Sequence, residues 1–325
     1  MSRVKSSRAK VFSCGNFVLL FSVIALSSAG CGKSQPSTAT EGVPATPQTF
    51  ASADLAGQAI YTAAKAGDTN ALLLIFGSGA KELLFSGDPV QDKAALDEFA
   101  SRYDQMHRWG KLTNGGLVLD VGAENYPFPF ALKKNDAGQW YFDSGSAKNE
   151  ILARRIGGNE LSTIDVLNAM AAAQTDYFSH PHDGAKAHSY AQKFVSDEGK
   201  QNGLYWPVPE GESGSPLGPL AEFAASEGYS GASQETQPYH GYYFRMLTSQ
   251  GPDAHGGAKN YIVNGSMTEG FAILAHPAEY ANSGVMSFLV NQDGIVLQKD
   301  LGADTAAIAK TITSFNPDST WEAVQ

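Results

Sequence analysis

Apolar residues first recur at helical spacing near position 55, where Leu55, Ala59, Ile60, Ala63 and Ala64 share one face of a helix that Gly67 ends. Further helical pieces are expected over 68–76 and 81–85, broken at Gly77-Ser78-Gly79, and over 92–103, where Leu96, Phe99, Ala100 and Tyr103 repeat every three or four positions. The period then shortens to that of strands at 117–119, 128–132 and 140–142, with Asn135-Asp136-Ala137-Gly138 as the turn between the last two. Helices followed by strands predict an α+β segment over 49–155. A second segment, 156–325, opens with a helix that Asn159 can cap, carrying Leu161, Ile164, Leu167, Met170, Gln174 and Tyr177 on one stripe. After a long Gly/Pro-rich connection, strands are expected at 242–247, 260–263, 271–275, 285–290 and 295–297, with Asn291-Gln292-Asp293-Gly294 as the tightest hairpin turn. One long helix laid on an antiparallel meander buries both apolar faces, so this half is also α+β.

The N-terminus follows a different pattern. Arg3, Lys5, Arg8 and Lys10 precede an apolar run over 17–26 that is too short for a permanent span, which reads as a secretory signal over 1–30. Ser27-Ser28-Ala29-Gly30-Cys31 resembles the lipobox of bacterial lipoproteins, which implies acylation at Cys31 and anchoring to a membrane through lipid. Ser28 stands where that motif usually has Leu, so cleavage by an ordinary signal peptidase is the alternative. By resemblance to lipoprotein sorting rules, Gly32 after Cys31 implies the outer membrane, facing the periplasm, in a bacterium with two membranes. Residues 31–48, rich in Ser, Thr, Pro, Ala and Gly, have too little apolar surface to offset ordering entropy and read as a flexible tether.

Three resemblances follow from longer stretches. The layout of the first segment is similar to cone-shaped nuclear-transport-factor-like or cystatin-like folds. Asn159-Glu160-Leu161-Ser162 through Ala173-Gln174-Thr175-Asp176-Tyr177, with Gly241-Tyr242-Tyr243-Phe244, Gly270-Phe271-Ala272, Ala275-His276-Pro277 and Ser283–Phe288, resembles the globular part of type IV pilins and pseudopilins. That resemblance implies protein–protein contact. It does not carry over filament assembly, because a whole segment separates this helix from the N-terminus. Across nearly the whole mature chain, Arg154-Arg155-Ile156-Gly157-Gly158-Asn159-Glu160, Gly203-Leu204-Tyr205-Trp206-Pro207, Ser215–Leu220 and Lys299-Asp300-Leu301-Gly302 are similar to an uncharacterised family of bacterial envelope proteins, domain of unknown function twenty-nine-fifty. The family brings no activity with it.

Composition narrows the chemistry. The chain has 325 residues, 42% hydrophobic and 17% charged, with a formal charge of −10, and without residues 1–30 it carries 19 basic against 33 acidic residues, a charge of −14. Such an acidic surface argues against nucleic-acid partners. Of its two cysteines, Cys14 leaves with the signal and Cys31 takes the lipid, so disulfides, thiol catalysis and cysteine-ligated metals are excluded from the body, and no cofactor is expected.

His180-Pro181-His182-Asp183 with His188 is the densest group of metal-type ligands, but its spacing matches no ligand pattern, and Pro181-His182-Asp183-Gly184 reads as a solvated turn. Ser78-Gly79-Ala80-Lys81 spells a Ser-x-x-Lys pair without its companion motifs and reads as a helix start. Tyr205 and Trp206 lie in a Pro-rich loop over 203–219, which suits either a partner-binding element or a plug in the protein's own core. The expectation is a non-catalytic binding or scaffolding module with envelope-protein partners. The alternative is a hydrolase or metal-dependent enzyme built on the His180 group.

Overall fold

The computed structural model describes residues 45–185, 187–208, 214–230 and 237–324. The expected signal, Cys31 and most of the tether lie outside the described residues. Val43–Gln325 forms one compact unit.

In its N-terminal half, α1 (Ala53–Ala66) starts where the Ser52 side chain accepts from the Leu55 amide and stops at Gly67, whose left-handed backbone (φ 61°) turns two N–H groups onto the last helical carbonyls. α2 (Thr69–Phe76), the short α3 (Lys81–Leu84) and α4 (Pro89–Gln105) follow. Strands β1 (His107–Lys111), β2 (Leu117–Val121), β3 (Tyr126–Pro127), β4 (Ala131–Lys134) and β5 (Trp140–Asp143) form an antiparallel sheet ordered β1-β2-β4-β5, with β3 beside β2. β1 escapes sequence reading because His107, Arg108 and Lys111 are exposed on an edge strand and Trp109 is its only large apolar contact with the core, too few positions to show an alternation. Ile60, Leu72, Phe76, Leu132 and Phe142 fill the core between helices and sheet.

α5 (Ser144–Ser179) is a single helix of 36 residues, about 54 Å long at the usual rise. The expectation that it begins at Asn159 is corrected. Asp143, the last residue of β5, is its N-cap and accepts from the Ser146 amide, while Asn159 lies buried in mid-helix. The apolar stripe is interrupted there, so periodicity alone saw only the second part. Ala147, Ile151 and Leu152 pack on the N-terminal core, Val166, Leu167, Met170, Ala173 and Tyr177 on the C-terminal one, and the boundary expected at 155/156 falls inside the helix.

The connection after α5 contains α6 (Gly218–Ser226). The main C-terminal sheet then uses β6 (Tyr242–Leu247), β11 (Ala272–Pro277), β12 (Met286–Asn291), β13 (Leu297–Asp300) and β14 (Glu322–Ala323) in the antiparallel order β14-β13-β12-β11-β6. Two small ribbons pair β7 (Ser249–Gln250) with β8 (Lys259–Asn260), and β9 (Ile262–Val263) with β10 (Ser266–Met267). α7 (Thr305–Thr311) completes the layers. On β6 the neighbouring side chains Arg245 and Met246 point to opposite faces, Arg245 donating to the Ala309 and Ile312 carbonyls of the α7 end and Met246 receiving Gln174 of α5. Helices therefore cover both faces, which explains why β11 reads as a continuous buried apolar run rather than an alternating one.

A polar seam joins the halves around the middle of α5. Arg155 donates to the Glu82 and Leu83 carbonyls at 2.7 and 2.6 Å and to the Asn282 amide oxygen. Asn159 receives Gln91 of α4 at 2.8 Å and donates to the Ser283 carbonyl at 2.8 Å, and Glu160 accepts both the Val285 and Met286 amides at 2.9 Å. Asp88, fully buried, caps α4 through one carboxylate oxygen and accepts the Gly241 amide on the other. Gly241 has no substitute, since its φ is +75° and a Cβ there would sit 2.5 Å from the Asn159 side-chain nitrogen.

Two substitutions one turn apart on α5 should have opposite effects. Arg155→Ala removes its bonds to the exposed Glu82 carbonyl, the part-buried Leu83 carbonyl and Asn282, and should cost about 1–2 kcal/mol. Gly158→Ala, where a Cβ meets nothing within 4 Å, should gain up to about 1 kcal/mol from helix propensity. Urea unfolding of both variants measures the two signs, and a neutral Arg155→Ala would mean that the seam carries no stability.

Candidate functional site: an apolar socket beside Tyr205

Backbone hydrogen bonds hold the Tyr205 loop in place. The Leu204 amide donates to the Lys193 carbonyl, the Tyr205 amide to Phe194, the Ser196 amide to Tyr205 and the Leu217 amide to Leu204, all between 2.8 and 3.0 Å. Gln174, buried in α5, fixes the start of this stretch by exchanging two hydrogen bonds with the Ala191 backbone at 2.8 and 2.9 Å. α6 then starts with Pro219 in its first turn, a position that needs no N–H, and presents Leu220, Ala221, Ala224 and Ala225 at helical spacing.

Between this helix and the loop lies an apolar cavity of about 120 Å³, walled by Tyr205, Leu217, Ala224, Tyr229 and Tyr239 among the described residues. Phe223, Val195 and Val208 stand exposed on the same stretch of chain, at 55%, 38% and 37% of their surface. A cavity of about 150 Å³ takes benzene, and drug-sized ligands need about 300 Å³ or more. The socket is therefore sized for one side chain.

Two carboxylates hold two of its walls, Asp88 of the seam and Glu227 at the end of α6. The Tyr229 hydroxyl donates to Asp88 at 2.7 Å, and Tyr239 donates to Glu227 at 3.2 Å, which His240 also approaches at 3.0 Å. Burial, and after it the Asp88 hydrogen bond, raises Tyr229 far above an ordinary phenol, while burial and the Glu227 charge do the same for Tyr239. Both rings stay neutral donors fixed in orientation.

Trp206 points away from the socket. It packs edge-on against Tyr177 and His182, at centroid distances of 6.4 and 5.5 Å, and joins the rim of the C-terminal core. The two aromatics singled out in sequence thus divide, Tyr205 lining the cavity and Trp206 sealing the protein's own interior.

The imidazoles of the 180–188 region serve local structure. His182 stacks on Tyr177 at 3.8 Å and bonds the Tyr177 carbonyl at 3.0 Å, His188 bonds the Phe178 carbonyl at 2.7 Å, and His180 pairs with Ser179 at 2.6 Å. Asp183, in a left-handed turn (φ 51°), accepts the Gln201 amide. Burial and the charge of Asp183 push Tyr177 up to about 12. Among the described residues no group of three His, Cys, Asp or Glu side chains is arranged to hold a metal ion. Ser78-Gly79-Ala80 forms a 3-10 turn leading into α3, and Asn291–Gly294 is a hairpin turn with Gly294 at φ 74°.

Sequence reading missed α6 and the roles of Asp88, Tyr229 and Tyr239. Signals existed for two of them: Pro219 ahead of a small-residue helical stripe, and Asp88-Pro89 as a cap followed by a first-turn proline. The tyrosines carry no local signal, because the carboxylate holding Tyr229 comes from a residue 141 positions away.

An α+β body with an apolar socket of side-chain size, two of whose tyrosines are held by carboxylates, is the class of protein that this geometry defines. The chain belongs to the family described as protein of unknown function (DUF2950), whose model matches residues 47–324. No curated protein and no solved structure matches it, so the pilin-like layout expected for the C-terminal half has no matching structure behind it. None of the described helices is long and apolar enough to cross a membrane.

His276 provides a pH test of the scaffold. Burial lowers its pKa below the ordinary imidazole value of 6.5, the Pro277 carbonyl opposes this, and Arg245 and Lys310 add to it. The unfolded chain takes up a proton more readily than the folded one, so stability is complete above pH 6.5 and is lost as pH falls through the folded-state value. Urea midpoints between pH 7.5 and 5 should fall less steeply for His276→Gln than for the natural chain, and equal slopes would remove His276 as a contributor.

Proposed function

We propose that this chain is an exported, non-catalytic envelope protein, held to a membrane by lipid on Cys31, that binds another envelope protein by taking one of its apolar side chains into the socket between Tyr205 and α6. The observation that carries the reading is the size and lining of that socket. A cavity of about 120 Å³ walled by three tyrosines and small residues suits a single anchoring side chain, as interface hot spots do. The exposed Phe223, Val195 and Val208 supply apolar surface on the same stretch of chain. The basic-then-apolar start of the chain and Cys31 after small residues support export and lipidation. The outer membrane, facing the periplasm, is the proposed location in a bacterium with two membranes.

A photoreactive phenylalanine at position 205, activated in intact cells, should crosslink one discrete envelope protein. The adduct should be lost when Ala224→Trp fills the socket, and should be absent when the probe stands at Leu161, exposed on α5. A crosslink that persists in the Ala224→Trp variant would overturn the socket as the binding element. Cys31→Ser should release the protein from the membrane fraction and remove the acyl mass from its N-terminus, and an unchanged mass would overturn lipidation.

A further inference from the structure

The N-terminal half contains a second, larger cavity of about 290 Å³ between α1 to α4, the link from β3 to β4 and the first part of α5. Its walls are the rings of Phe76, Phe99, Phe128 and Phe130, at centroid distances of 4.4 to 6.2 Å, with Leu96 and Ile151. One end is polar, formed by Gln91, Asp92 and Arg155.

The hydrogen-bond chain fixes which atoms that end offers. Asn159 donates its side-chain NH2 to the Ser283 carbonyl, so its oxygen must accept, and the Gln91 group that meets it at 2.8 Å must be the NH2. The Gln91 Oε1 is thereby committed as an acceptor, and it is buried with no hydrogen-bond partner among the described residues. Asp92 uses Oδ1 for the Ser86 amide and hydroxyl, at 2.8 and 2.7 Å, which leaves Oδ2 as a second acceptor at the same end. Arg155 turns its terminal nitrogens to backbone carbonyls and to Asn282. The polar end therefore holds one buried acceptor without a donor, Gln91 Oε1, and such a group is costly to keep.

We infer that this cavity binds a small neutral molecule with a ring-based apolar body and one hydroxyl donor. The hydroxyl satisfies Gln91 Oε1. Asp92 and Arg155 line the same end with opposite charges, so neither an anion nor a cation is favoured there over a neutral hydroxyl. The volume is about twice the 150 Å³ that holds benzene, which fits two fused rings. This site is independent of the socket beside Tyr205, in a different half of the body and with a different class of occupant.

The test uses the compact unit, residues 43–325, with 2-naphthol and naphthalene as probes and affinities from titration calorimetry. The expected result is about tenfold tighter binding of 2-naphthol, with NOE contacts from its ring protons to the Leu96 and Ile151 methyls. In Gln91→Leu the preference should vanish while naphthalene still binds, which also shows that the variant is folded. If that variant does not fold, the ratio and the NOE contacts in the natural sequence decide. Failure of both compounds to bind, equal affinities in the natural sequence, or contacts elsewhere would each overturn the inference, and none of these results bears on the Tyr205 crosslink.

Discussion

The hydrogen bonds around Arg155, Asn159 and Glu160 are the constraint on which the rest of this structure depends. A helix of 36 residues that enters one core at its start and another at its end must carry a middle section that belongs to neither. Here that section is half-buried, and its polar groups are matched one by one to carbonyls and amides of both halves. Arg155 is held against carbonyls of α3, and burial lowers its affinity for its proton more than the charges of Asp92 and Glu279 restore it. Sliding the halves past each other would strand those carbonyls, the Val285 and Met286 amides and the Asp88 carboxylate together. The geometry is thus set by directional bonds, while the two cores supply the non-directional burial.

The seam extends to the surface site. Asp88 is at once the cap of α4, the acceptor for the Gly241 amide and the partner of the Tyr229 hydroxyl, so the wall of the socket is placed by the same carboxylate that places the first half against the second. Tyr239 is held in the same way by Glu227 at the end of α6. The socket's rings are thus held in one orientation by the protein itself. Each ring of the 180–188 group faces a backbone carbonyl, a hydroxyl or an aromatic face, whereas His240 pairs with Glu227 beside the socket.

Where a segment makes its own case locally, the reading from sequence agrees with the structure. α1 and its Gly67 stop, the β4–β5 hairpin at Asn135–Gly138 and the turn at Asn291–Gly294 all rest on short-range chemistry. Reading fails where the deciding contact is distant. Periodicity placed the start of α5 at Asn159 because Arg154, Arg155, Gly157 and Gly158 break the apolar stripe, yet that break is the part of the helix given over to the seam. α7 went unread because the carbonyls at its end are satisfied by Arg245 from β6 rather than by any neighbour in sequence.

By itself the sequence determined the class of the body, α+β with antiparallel hairpins, its acidity and the absence of cysteine chemistry from residues 32–325, since propensity, turn residues and composition are properties of the chain and not of its packing. It also determined family membership, over residues 47–324, because a sequence can be compared without knowing what its residues touch. Only the tertiary structure decided what those residues do. It separated Tyr205, on the socket, from Trp206, on the core, and it brought Asp88 to Tyr229 and Gln91 to Asn159 across 141 and 68 positions. A hydrogen bond has a direction and a length but no signature along the chain, so partners that far apart become visible only once the fold has closed the loop between them.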